Sequence, residues 1–216
     1  MRLILIIFIT IYSVNLLAQS TNLKKEYRQT NKYFKEKNYN KAFSSNEKAL
    51  SLSLKEFGLH HLTTATLIEN KGRLLLELNK NKDAEKQFRQ VLDIREKLIE
   101  GYNPDIAEAL NYLALSLRKQ NKLKEAIIEH NKVLNIMGNV IANNPGQISE
   151  LSRRSALYRA RAYQTKGQLL VIEGNYSEAE GNFKIAGKIF ERTLGPNKKE
   201  LKLLKSEIER LKEKIN

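Results

Sequence analysis

Residues 106–137 read IAEALNYLALSLRKQNKLKEAIIEHNKVLNIM. Ile106, Leu110, Leu113, Ala114 and Leu117 form one apolar stripe in this stretch, and Ala126, His130, Val133, Leu134 and Met137 form a second. Both follow the i, i+4, i+7, i+8 rhythm of an amphipathic helix. Between them Gln120-Asn121 supplies a polar turn of residues that tolerate a left-handed backbone. The stretch therefore predicts two antiparallel helices joined by a tight turn.

The same pattern recurs outward from this stretch. Ala42, Ala84 and Ala126 are 42 residues apart (84 − 42, 126 − 84), and Ala179 follows 53 after Ala126 (179 − 126). Each alanine comes after a turn: Lys37-Asn38, Asn79-Lys80-Asn81, Gln120-Asn121 and Glu173-Gly174-Asn175. Twelve residues before each stands Thr30, Gly72, Ala114 or Gly167, and small residues at both slots let paired helices approach closely. Phe88 and Phe183 lie four after their alanines, and Ala49, Val91, Val133 and Ala186 seven after, as packing positions. A fixed period of this size marks a solenoid, whose repeats are stable only when stacked on neighbours.

Ala109-Leu110-Asn111-Tyr112-Leu113-Ala114 resembles the first-helix signature of the tetratricopeptide repeat in the long-period form of kinesin light chains, and Lys122 to Ala126 resembles the start of its second helix. The connectors Gly58-Leu59-His60-His61, Gly101 to Ala107 and Leu194-Gly195-Pro196-Asn197 resemble that family's glycine, histidine and proline links. The resemblance covers about residues 21–196. It implies an all-α fold, a right-handed α-solenoid of about four antiparallel helix pairs plus a C-terminal capping helix. The repeats fall near 21–62, 63–103, 104–147 and 148–196 within a solenoid over 19–196, with the capping helix at 197–216. Gln29 and Thr30 depart from the family pattern, which suggests an atypical first repeat.

The longer step from Ala126 to Ala179 adds 11 residues (53 − 42), about three helical turns. We place this length around Asn143-Asn144-Pro145-Gly146, with a long helix starting near Ser149 as N-cap. After Pro196, Leu201, Leu204, Ile208, Leu211 and Ile215 form a short stripe that reads as a terminal cap, with a partner-binding seam as the alternative.

Residues 1–18 read as a secretory signal: Arg2, the apolar run Leu3 to Ile9, and a weaker zone ending Leu16-Leu17-Ala18. Cleavage is expected after Ala18, giving an exported chain, periplasmic or secreted. There is no cysteine, hence no disulfide and no lipid attached to a cysteine. The net charge is +14, from 38 Lys plus Arg against 24 Asp plus Glu. Such a balance invites nucleic acid as a partner, but an export signal, the spread of lysines over solvent faces and the lack of a recognition helix argue against it. Diffuse positive charge also suits an anionic envelope polymer or a membrane surface.

No glycine-rich phosphate loop, nucleophile elbow or metal-spaced His/Cys set appears. No enzyme activity, cofactor or metal site is expected, and His60 and His61 read as structural connector residues. In this family the first helix of each pair lines the concave groove, so the resemblance implies a peptide or protein segment bound there. Asn70 and Asn111 are groove candidates because an amide can donate to and accept from a peptide backbone. Arg28, Asn31, Arg73, Arg118, Gln164 and Gln168 fall on comparable faces. Arg154 and Arg161, seven apart on the long helix, are candidates for an anionic ligand, since guanidinium donates in a planar fork. The expected function is an exported scaffold that holds a partner's peptide or helix in its groove. The alternative is a charge-driven binder of anionic envelope polymer or membrane surface, which salt would abolish.

Overall fold

The computed structural model describes residues 21–143, 148–195 and 199–215, and among these every regular element is a helix. The expected signal segment, its cut after Ala18, and Asn144-Pro145-Gly146 of the irregular linker lie outside the described residues. The helices are α1 (residues 21–35), α2 (Tyr39–Phe57), α3 (Leu62–Glu77), α4 (Asn81–Leu98), α5 (Pro104–Lys119), α6 (Leu123–Asn143), α7 (Ile148–Ile172), α8 (Tyr176–Leu194) and α9 (Lys199–Ile215). None of them is long and apolar enough to cross a membrane.

Two compact units meet at the Ile99–Glu100 bond. In the first, α2 packs on α3 and α3 on α4, while Leu23 of α1 joins Ala49 and Leu67 in a buried cluster. In the second, α5 packs on α6, α6 on α7, α7 on α8 and α8 on α9.

The four turns within helix pairs have one shape. Lys37, Asn79, Asn121 and Gly174 sit at φ of 58°, 58°, 62° and 79°. The next amide then reaches back five residues: Asn38 to the Tyr33 carbonyl (2.9 Å), Lys80 to Leu75 (2.8 Å), Lys122 to Leu117 (3.0 Å) and Asn175 to Leu170 (2.9 Å). This closes the open carbonyls of the first helix while reversing the chain.

Packing follows the slots of the repeat. Ala42, Ala84, Ala126 and Ala179 are wholly buried. A Cβ on Gly72 would stand 2.7 Å from the Phe88 ring, and one on Gly167 would stand 2.5 Å from the Phe183 ring. Glycine is therefore what admits phenylalanine in those two repeats. In the third repeat, Ala114 takes the glycine slot and His130 the phenylalanine slot. In the first, Asn46 takes the phenylalanine slot and donates to the Leu67 carbonyl at 3.0 Å.

His61 is structural: its Nδ1 accepts from the Thr63 amide at 3.1 Å as the N-cap of α3, and its ring stacks on Phe57 with centroids 4.5 Å apart. The long helix α7 begins at Ile148, one residue ahead of the expected Ser149 cap. On α9, Leu201, Leu204 and Leu211 are buried, and Ile208 packs on the cluster of Phe183, Ala186 and Phe190. Most of the predicted stripe thus covers the end of the core, and Ile215 stays exposed.

Candidate functional site

The eight groove candidates divide between the units. In the first, Asn31 on α1 and Asn70 and Arg73 on α3 line one small cavity with Thr30 and Phe34. The Arg73 guanidinium lies 5.7 Å over the Phe34 ring, and Asn70 Nδ2 is buried without a hydrogen-bond partner. Arg28 is exposed on α1 and does not line this cavity.

In the second unit Arg118, Gln164 and Gln168 converge. With Lys119 they line a cavity of about 410 Å³, whose other wall is Leu203, Leu204, Ser206, Glu207 and Arg210 of α9 above Phe183. Gln168 Oε1 is buried with no hydrogen-bond partner. Three cations, Arg118, Lys119 and Arg210, face this space against one carboxylate, Glu207. The α9 residues escaped the sequence reading, although Ser206 and Arg210, four apart beside the leucine stripe, carried a weak signal.

Asn111 corrects an expectation. It was placed on a groove-exposed position, but it is only 1% exposed and its Oδ1 has no hydrogen-bond partner. Asn70 lies 14 residues before its alanine and Asn111 lies 15. One residue is about 100° of helix rotation, enough to carry a side chain from cleft to core. Glu69, in the same slot as Asn111 (84 − 15), is buried as well.

Arg154 and Arg161 also part company. Arg154 Nη2 donates to Glu108 at 2.8 Å, an ion pair between α7 and α5. Arg161 has no ion pair among the described residues. Its charge acts instead on Arg118 and His130. Burial, then the nearby Arg161 guanidinium, lowers Arg118 to about 10.

His130 feels both of these cations. Thr165 Oγ1 donates its single proton to the Arg161 carbonyl at 2.9 Å, so its 3.2 Å contact with His130 Nε2 is a donation from the ring. Nδ1 is then the bare nitrogen, buried and without a partner. Burial, then the charges of Arg118 and Arg161, push the imidazole down to about 3. A neutral ring is what the phenylalanine slot beside two guanidiniums can accept. No group of three or more His, Cys, Asp or Glu among the described residues could hold a metal ion.

Residues 33–97 match the tetratricopeptide repeat family. No curated protein matches the sequence. Among solved structures, a kinesin-light-chain-type protein of Podosopora anserina, with nearly identical TPR-like repeats, is similar at a TM-score of 0.58 and 15% identity, over 90% of this chain and 96% of that one. BtubC (BKLC) from P. vanneervenii is similar at a TM-score of 0.63 and 20% identity, over 82% of this chain and 67% of that one. Both likenesses are of fold.

Proposed function

We propose that this tetratricopeptide-repeat protein is an exported, non-enzymatic scaffold of the bacterial envelope that holds a segment of another protein in the cleft between α5, α7 and α9. Tetratricopeptide repeats are protein-interaction scaffolds, which gives the class. The observation that carries the reading is the convergence of Arg118, Gln164, Gln168 and Arg210 on one cavity. The Gln164 and Gln168 amides can both donate to and accept from the backbone of a bound segment. The apolar wall of Phe183, Leu203 and Leu204 offers the occupant a contact that salt does not weaken. Leu203 is 59% exposed, so that surface is open to a partner. Export follows from the signal-like residues 1–18.

The test is capture from envelope extract on immobilised residues 19–216, at low and high salt, beside a Gln164→Ala/Gln168→Ala variant of unchanged thermal midpoint. A discrete protein kept at high salt by the parent and lost by the variant supports the cleft. Material released by salt, and indifferent to the two glutamines, overturns it in favour of the anionic-surface binder.

A further inference from the structure

Two of the four turns within helix pairs place an asparagine just past the left-handed residue, and they use it differently. At the first turn Asn38 Oδ1 accepts from the Lys41 amide at 3.3 Å, which fixes the side chain as the cap of α2. At the fourth, Asn175 stands at the same place ahead of α8 and makes no capping bond. It is exposed, as are Glu173, Gly174 and Ser177 around it. A Cβ built on Gly174 would meet nothing within 4 Å, so the space beside the turn is open.

The residues that follow differ as well. Asn38-Tyr39 leads to Asn40, whereas Asn175-Tyr176 leads to Ser177. Asn-x-Ser, with x other than proline, is the acceptor pattern for N-linked glycosylation, and this sequence holds an Asn-x-Ser or Asn-x-Thr once. What separates it from a chance match is its place, on an exposed turn whose amide the fold does not use. The Ser177 hydroxyl, two residues on, gives a transferase a second polar group to grip beside the amide. Glu173 adds an exposed carboxylate on the other side. Such transfer belongs to exported chains, and residues 1–18 read as a secretory signal.

We propose that Asn175 is the acceptor of an N-linked glycan, attached by an oligosaccharyl transferase from a lipid-pyrophosphate-linked sugar donor. A bond forms between Asn175 Nδ2 and the anomeric carbon as the bond from that carbon to the pyrophosphate oxygen breaks. The pyrophosphate leaves with the bonding pair, and Nδ2 gives one proton to a base of the transferase, so no oxidant or reductant is needed. The site rests on the export part of the scaffold reading and is independent of what the cleft holds.

The full chain is expressed in its own cells, purified from the envelope and digested with trypsin, and the peptide 167–184 is weighed and fragmented beside the N-terminal peptide. Asn175→Gln, Ser177→Ala, Ser177→Thr and Asn38→Gln are run with the parent. We expect a glycan mass on Asn175 in the parent, in Ser177→Thr and in Asn38→Gln, and its loss in Asn175→Gln and Ser177→Ala. A bare peptide from a parent chain that begins at Gln19 overturns the site and leaves export standing. A bare peptide from an uncut chain overturns both. A mass that survives Ser177→Ala, or that fragments to a residue other than Asn175, also overturns the site.

Discussion

The two units bury charge in opposite ways. In unit 1 Glu69 and Arg95 meet as an ion pair, each side chain 7% exposed, so the interior of α3 and α4 is balanced. In unit 2 Arg118 and Arg161 stand together beside a neutral His130, and the balancing charge is absent from the described residues. A closed pair specifies packing. A cation at the edge of a cavity without an internal partner, as Arg118 is among the described residues, is left for a ligand. The difference teaches that the repeat supplies the frame equally to both units, and that recognition comes from which slots are left unanswered.

The largest way to break this comparison is to remove one arginine from each unit. Arg95→Met leaves Glu69 buried beside an apolar chain and is expected to cost about 3–5 kcal/mol in urea denaturation. Arg161→Met relieves repulsion in unit 2 and is expected to leave stability unchanged or raise it by about 1 kcal/mol. Equal losses for the two variants would mean that Arg161 has an internal partner after all.

A smaller effect probes the aromatic slot. His130→Phe puts a phenylalanine opposite Ala114, where the second and fourth repeats have a glycine whose added Cβ would stand 2.7 Å and 2.5 Å from the ring. Overpacking there should cost about 2 kcal/mol, and Ala114→Gly in the same chain should recover most of it. Equal costs with and without the glycine would refute the pairing of slots.

Acid should sharpen the contrast further. The His130 pKa is lowered on folding, so the neutral ring contributes fully above its ordinary value near 6.5. That contribution is lost as pH falls toward about 3, at up to about 1.4 kcal/mol per pH unit. Hydrogen exchange should show α6 and α7 loosening first below pH 6.5, and His130→Gln should flatten the response. The smallest effect lies where the units agree: Asn79→Gly and Asn121→Gly each relieve a left-handed turn and should stabilise by about 0.5 kcal/mol, read as denaturation midpoints.

Much of the fold was legible because its determinants are local. Turn residues such as Asn79 and Asn121, and the alanine period, act within a few residues of themselves, and helix pairing follows. The link between Gly72 and Phe88, or Gly167 and Phe183, was visible as two separate slots, while their contact needed coordinates. The site was less legible. Arg118, Gln164 and Gln168 line one cavity, yet Asn111 differs from a cleft-lining position by one step of helix rotation. The partner that occupies Arg154 lies 46 residues away, and helical periodicity says nothing about such a pairing. The α9 wall was hidden because a stripe of leucines reports what it buries, not which polar edge it turns toward a neighbour.

The most direct test is amide hydrogen exchange along the whole chain, with and without the protein captured from envelope extract. The account predicts new protection in α5, α7 and α9, with α1 to α4 unchanged. Protection confined to α1 and α3 around Asn31 and Asn70, or spread evenly over both units, would contradict it.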